Sequence, residues 1–169
     1  VSPGDRYRID GVELSGIYTN GATRRTQVQL DEISQDLLDA IIAVEDHRFF
    51  DHIGVDVIGI VRSLAHNLKN KPGLQGGSTL TQQLAKNLFL SPERTWRRKI
   101  RELFIALALE HRLTKEQILE LYVNQIYLGQ VNGIGIGGVD QAARVYFGKT
   151  AATLNLSESA MLAGLISAP

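Results

Sequence analysis

The chain has 169 residues, 44% apolar and 21% charged, so it can form one domain burying roughly 70% of its unfolded surface and is not a disordered segment. Lys plus Arg and Asp plus Glu are 18 each, and this balance gives no global field that would point to nucleic acid. There is no cysteine, which excludes disulfides and thiol chemistry, and no apolar run approaches the roughly 18 residues of a membrane span.

In chain order, residues 1–30 read as an N-terminal extended or linker segment. They alternate, carry several Gly, and include Asn20-Gly21 as a turn signal for a short hairpin. From residue 31 the pattern becomes helical. Ser34 can cap a helix through "QDLLDAIIAVED", with Leu37, Leu38, Ile41, Ile42 and Val44 as its apolar stripe. "DVIGIVRSLAHNLKN" puts Val57, Val61, Leu64, Ala65 and Leu68 on one face and Arg62, Ser63, His66, Asn67 and Lys69 on the other. The loop "KPGLQGG" follows. Thr79 and Gln82 form a capping box for "LTQQLAKNLFL", with Leu80, Leu84 and Leu88 as its stripe. Ser91 as N-cap and Pro92 at the first position predict a helix through "SPERTWRRKIRELFIALALEHRL". Its centre is apolar nearly all round, which predicts passage through the core. A second box, Thr114 with Gln117, starts "KEQILELYVNQIYL". The Gly-rich "GQVNGIGIGG" reads as a loop. It leads to a helix from Asp140 to Phe147 that Gly148 stops, and Ser157 caps a last helix, "ESAMLAGLI". The predicted fold class is mainly α, with residues 31–169 as its one domain. The chain begins without Met and ends on Ser-Ala-Pro, so it reads as a piece of a longer parent, and the lack of an anchor here does not speak for that parent.

Three features carry chemistry. Glu45 falls at the C-terminal end of an apolar helix, where the helix dipole disfavours an anion, and this suits a carboxylate that takes up a proton. Taken alone, it reads first as a solvated carboxylate on a fraying helix end or a partner of Arg48. From Lys86 to Glu102 there are six basic residues, Lys86, Arg94, Arg97, Arg98, Lys99 and Arg101, against only Glu93 and Glu102. Such a cluster suits a phosphate or pyrophosphate; its alternative is a solvated helix start with Arg98 and Glu102 as an i,i+4 pair. Glu102 is the last charge before "LFIALAL", so it is expected to be half-buried and to need a partner. Finally, Ser78 and Thr79 open a helix after a Gly-rich loop, which reads as an anion site or a simple cap. It is not a phosphate loop, since no Lys precedes Ser78. His47 and His52 are five apart and miss the spacing of a helical zinc pair, so structural zinc is not expected. Mg²⁺ or Mn²⁺ held by carboxylates and a phosphate ligand stays open.

Taken together and in this order, five segments resemble glycosyltransferase family 51, the peptidoglycan glycosyltransferase domain of bifunctional penicillin-binding proteins and monofunctional cell-wall transglycosylases. They are "EDHRFFDHIG", "GGSTLTQQLAKN", "RKIRE", "KEQILELYVN", and "AARVYFGK" followed by "LNLSESAMLAGL". The likeness spans about residues 31–169. It departs where the family has a short Gly-Ala-Tyr-Gly turn; this chain has "GQVNGIGIGGVDQAA", with Ile136 near the place of the aromatic.

The resemblance implies a lysozyme-like larger lobe and a smaller, membrane-facing lobe. It implies polymerisation of lipid II, with the growing lipid-linked glycan as donor, on the outer face of the bacterial cytoplasmic membrane. Carried over by motif, Glu45 resembles the general base and Glu102 the second carboxylate, which acts at the pyrophosphate end directly or through Mg²⁺ or Mn²⁺ near it. Lys86, Arg94, Arg98 and Lys99 resemble the cations that hold the diphosphate, and Ser78, Gln83 and Asn87 resemble further donor contacts. On the amphipathic helix from Asp56 to Asn70, Val57, Ile60, Val61 and Leu64 are expected to face the membrane, the alternative being a helix that faces the core. Asp46, His47 and His52 are expected to position the loop by hydrogen bonds, and Phe49 and Phe50 to fix the turn. No organic cofactor or nucleic acid is implied. Inhibition by moenomycin is, while a transpeptidase domain in the parent stays open. The competing readings are a lysozyme-like glycan hydrolase and a catalytically silent module that binds lipid pyrophosphate.

Overall fold

Apolar residues spaced three and four apart set the order of the chain in the computed structural model, which describes residues 8, 9, 12, 13, 27–69, 77–90, 93 and 95–167. The helices are α1 (Gln35–Glu45), α2 (Val57–Lys69), α3 (Leu80–Phe89), α4 (Trp96–Arg112), α5 (Lys115–Gln125), α6 (Val139–Phe147) and α7 (Leu156–Ser167). Two antiparallel pairs accompany them: β1 (Arg8–Ile9) with β2 (Val12–Glu13), and β3 (Tyr127–Val131) with β4 (Ile134–Gly137). The mainly α expectation is met. The Asn20-Gly21 turn signal lies outside the described residues.

α1 packs chiefly on α7, and α3 lies between α4 and α5. Leu37 and Ile41 of α1, Leu80 and Leu84 of α3, Leu109 of α4, Ile118 and Tyr122 of α5, and Leu162 of α7 are almost fully buried. Each large apolar side chain so placed contributes about 2 kcal/mol of burial free energy. α3 is therefore the central element. What its first turn touches decides the geometry described below.

Local signals set the helix starts well. Both capping boxes form: Thr79 with Gln82 opens α3, and Thr114 with Gln117 opens α5. Gly148, at φ 66°, ends α6 as expected. Ser34 precedes α1 as expected, yet its side chain makes no capping hydrogen bond.

Four expectations need correction. α4 starts at Trp96 with Thr95 as its cap, the hydroxyl accepting from Arg98 N–H, rather than at Ser91 and Pro92, which lie outside the described residues. α4 also does not thread the core. Ala106 and Leu109 are buried, but Trp96, Ile100 and Phe104, at i, i+4 and i+8, are exposed by 86%, 54% and 66%. Apolar content alone does not tell which faces find neighbours. At α7, Asn155 rather than Ser157 is the cap: Asn155 and Glu158 exchange side chain and backbone N–H in a reciprocal box.

The Gly-rich stretch is the last correction. α5 ends at Gln125, and residues 127–137 form a hairpin rather than a helix end and a loop. Its turn is Asn132-Gly133, with φ 53° and 77°, the mirror-image turn whose twist matches paired strands. Asn-Gly between Val131 and Ile134 was a readable signal, masked by the surrounding glycines. Ile136 is buried in the core on β4.

Asp56 sits just before α2. Burial alone would raise its carboxyl, but the Gly59 backbone N–H, Arg48, His52 and Arg62 outweigh burial and hold it below the usual carboxylate range. Asp56→Ala removes this cap and should destabilise the chain by about 1 kcal/mol in denaturant unfolding. A depressed folded value means that the contribution is complete above the ordinary 3.8 and is lost as pH falls through the lower folded value. The stability gap between wild type and variant should therefore close below that point.

Candidate active site

α1 ends at Glu45, and the chain turns sharply through residues 46–56 before α2. The turn is held by one buried carboxylate. Asp46 accepts from His52 Nε2 at 2.9 Å and from the backbone N–H of Leu80, the first residue of α3, at 3.0 Å. His52 Nδ1 accepts from Gly54 N–H at 3.1 Å, so the ring hydrogen lies on Nε2 and faces Asp46. The Thr79 hydroxyl donates to Gly54 O at 2.6 Å while accepting from Gln82 N–H. Gly54 has φ +88°, and a Cβ there would come within 2.9 Å of Glu110 Cγ and 3.1 Å of Ala106 O. Only glycine lets the turn press this closely on α4. Phe49 is fully buried beneath it, with Phe50 edge-on at 5.1 Å and the Lys115 ammonium 4.6 Å from its ring centre.

Asp46 and His52 thus position the turn as expected. His47 is exposed and accepts from Arg62 at 2.9 Å, tying the turn to α2. Asp46 places a full negative charge at the N-terminus of α3, where the helix dipole favours it.

Glu45 is half-buried on the last turn of α1. Its Oε2 accepts from Gln83 Nε2 at 2.8 Å. Gln83 Oε1 in turn accepts from the Tyr122 hydroxyl at 3.1 Å. The second carboxylate, Glu102, is 2% exposed on α4. Arg98 donates to its Oε2 at 3.1 Å, and Lys99 donates to its Oε1. Lys99 also donates to Ser78 Oγ at 2.9 Å. The sequence predicts Glu102 half-buried with a partner; it is fully buried and has two cationic partners. Both carboxylates are therefore reached from one short segment: Gln83 holds Glu45, and Ser78 reaches Glu102 through Lys99.

Of the residues singled out from sequence, Glu45, Ser78, Gln83, Arg98, Lys99 and Glu102 are brought together by α3 and α4. Lys86 lies one turn further along α3 and is half-buried; Asn87 beside it is exposed. Arg94 and the side chain of Leu64 lie outside the described residues. Val57, Ile60 and Val61 are exposed by 66%, 41% and 62%. No helix among the described residues is long and apolar enough to cross a membrane.

The donor set at Glu102 does not fit a divalent cation held by the protein. Both oxygens face cationic side chains, and among the described residues no three His, Asp or Glu side chains gather in a way that could hold a metal.

Sequence reasoning passed over Tyr122 and Asn124. Tyr122 has the buried spacing of α5 with Ile118, and a buried hydroxyl requires a partner, which was the available signal. Asn124 clamps Val28 through both its amide ends, accepting from Val28 N–H at 3.0 Å and donating to Val28 O at 2.8 Å. No local pattern marks a contact 96 residues away.

The model of one family, described as Transglycosylase, matches residues 10–169. The chain belongs to the transglycosylase family. The resemblance read from the five motifs, to glycosyltransferase family 51, is thereby established, and with it an enzyme domain for glycosyl transfer. This transglycosylase domain is 52% identical over 163 residues to penicillin-binding protein 1A of Escherichia coli, covering 96% of this chain and 18% of that protein. It is 48% identical over 151 residues to penicillin-binding protein 1A of Aquifex aeolicus, covering 89% and 20%. With penicillin-binding protein 1A of Pseudomonas aeruginosa it shares 48% over 163 residues, covering 96% and 19%. The chain spans about a fifth of the length of the curated relatives it matches.

Proposed function

We propose that this transglycosylase domain is a peptidoglycan glycosyltransferase that polymerises lipid II. The growing lipid-linked glycan is the donor and the incoming lipid II the acceptor. The observation that carries this reading is the pair of unlike carboxylates on one framework, Glu45 held by a neutral amide and Glu102 held by two cations.

Each carboxylate suits one half of the reaction. Glu45, oriented by the Gln83 amide, takes the proton from the acceptor hydroxyl as that oxygen attacks the donor's anomeric carbon. The bond from that carbon to the diphosphate oxygen breaks, and undecaprenyl pyrophosphate leaves. Direct displacement inverts the centre, so an α-linked donor gives a β-linked glycan. The leaving group is an anion and needs positive charge rather than a proton. Arg98 and Lys99 supply it, with Lys86 and Arg94 as further cations and Ser78 and Asn87 as polar contacts. Glu102 holds Arg98 and Lys99 in place. Mg²⁺ and Mn²⁺ are assigned no step.

A glycan hydrolase is the weaker reading. It must protonate a poor alkoxide leaving group and so needs a carboxylic acid beside the bond. At Glu102 both oxygens are taken up by Arg98 and Lys99, which leaves neither directed at a glycosidic oxygen.

The membrane surface is the proposed partner of α2. Val57, Ile58, Ile60 and Val61 are all exposed, with Phe50 and Ile53 exposed in the preceding turn, a patch larger than scattered surface apolar residues. Arg62 borders it, which suits an interface with lipid headgroups. The proposed place of action is the outer face of the cytoplasmic membrane, in a parent that also carries a transpeptidase domain. Moenomycin, a phosphoglycolipid, should inhibit by occupying the donor side.

The test is incubation with lipid II, with and without Mg²⁺. Long glycan and released undecaprenyl pyrophosphate are expected; shortening of finished glycan without polymer would reverse the choice. Within that assay, Lys86→Ala should raise the KM for the lipid-linked donor by about 10-fold, the worth of one charge-assisted contact to phosphate. An equal loss with a donor lacking pyrophosphate would remove Lys86 from the diphosphate site.

A further inference from the structure

We propose that Tyr122 is a positioning residue for Glu45, acting through Gln83: the phenol sets the orientation of the Gln83 amide, and that amide aims the base. The inference rests on Glu45 as the general base and adds what holds it ready.

A glutamine amide has two nearly isosteric orientations, one offering N–H₂ and the other C=O to a given neighbour. Which of them faces Glu45 decides whether the carboxylate is held or repelled. At the far end, Gln83 Oε1 lies 3.1 Å from the Tyr122 hydroxyl. Tyr122 is fully buried on α5. Burial, with Glu45 and Asp46 adding to it, pushes its phenol well above the ordinary range. The hydroxyl therefore keeps its hydrogen and is a donor to Gln83. That requires the Gln83 carbonyl to point at Tyr122, and the N–H₂ must then point at Glu45, as the 2.8 Å contact shows. The order is Tyr122 O–H to Gln83 C=O, then Gln83 N–H to Glu45 carboxylate.

The arrangement is tied to rigid elements. Gln83 lies on the first turns of α3, whose start is pinned by Asp46 at Leu80 N–H and by Thr79 at Gly54 O. Tyr122 lies between Leu121 and Val123, both also buried, on α5. Glu45 ends α1. One hydrogen-bonded chain thus joins three helices and sets the direction from which the Glu45 carboxylate is held.

The experiment is a double-mutant cycle in the lipid II assay. Tyr122→Phe deletes one oxygen and should lower kcat about 10-fold with donor KM unchanged, as a misaimed catalytic group does. Gln83→Met should lower kcat by a similar factor. In the Gln83→Met background, Tyr122→Phe should change kcat by less than about 2-fold, because the phenol then has no amide to orient. Losses that multiply across the two sites would overturn the proposal and make Tyr122 a packing residue. A rise in KM with kcat held would overturn it too, since Gln83 would then act on the substrate. If Tyr122→Phe fails to fold, Gln83→Met alone still decides through its kcat and KM split. Failure of Glu45 itself is separable: an active Glu45→Gln variant removes the base, whereas an inactive one with additive Tyr122 and Gln83 effects removes only the relay.

Discussion

Glu45→Gln should abolish turnover, with kcat falling by about 10²- to 10⁴-fold, the range that positioned proton transfer contributes. The substitution is close to isosteric. The new amide oxygen can still accept from Gln83 N–H, so the hydrogen bond at the end of α1 survives. What is lost is the capacity to take a proton, since an amide is not a base at neutral pH. Donor binding should stay within about 2-fold, because the substitution keeps the side chain's shape and leaves Lys86 on α3 and Arg98 and Lys99 on α4 unaltered. The thermal midpoint should move by only a few degrees. Release of undecaprenyl pyrophosphate from lipid II is the rate to follow, with moenomycin binding as the check on the donor side. Turnover at the wild-type rate would take Glu45 out of the mechanism.

Asp46→Ala should have the largest effect on stability, about 3 kcal/mol in denaturant unfolding, since it breaks a buried charge-assisted network rather than a surface pair. Two donors lose their acceptor at once. His52 Nε2–H and Leu80 N–H are both directed at this carboxylate, 2.9 Å and 3.0 Å away, in a buried setting. A buried donor without a partner costs about 1–3 kcal/mol. Asp46→Asn is the graded control. Its oxygen can serve Leu80 and its amino group meets the His52 hydrogen, so the loss should be smaller, about 1–2 kcal/mol. Activity should fall in both variants, because Glu45 is the next residue and α3 carries Gln83. Wild-type stability for Asp46→Ala would mean that the turn is held by Phe49 and Gly54 alone.

The family and the reaction class were legible because five spaced motifs stand intact in the chain. The helix starts were legible for a simpler reason. A capping box closes within three residues, so Thr79 with Gln82 and Thr114 with Gln117 need nothing beyond their own neighbourhood. The same local logic misled at α7. Ser157 and Asn155 are both good caps by residue type, and the box chose Asn155 because Glu158 lies three residues on. At β3 and β4 the Asn132-Gly133 turn was present in the chain, but four other glycines in residues 129–138 obscured it.

α4 marks where local reading stops. An apolar run predicts that a helix can be buried, and only the packing of its neighbours decides which faces are. Trp96, Ile100 and Phe104 face outward because α3 occupies the opposite side of the helix.

By itself the sequence determined which residue types were available, two carboxylates, a cationic stretch and a buried helix leading into a charged turn, and where most helices begin. These are matters of residue identity and of contacts within four positions. The tertiary structure decided how they are used. Asp46 reaches Leu80 across 34 residues, Gln83 reaches Glu45 across 38, and Tyr122 reaches Gln83 across 39. Such pairings carry no periodic signal, because they form only when α1, α3 and α5 have already packed and their first and last turns come together. Packing set one carboxylate against the Gln83 amide and made the other the centre of an ion cluster, a distinction that two glutamates in a sequence do not show.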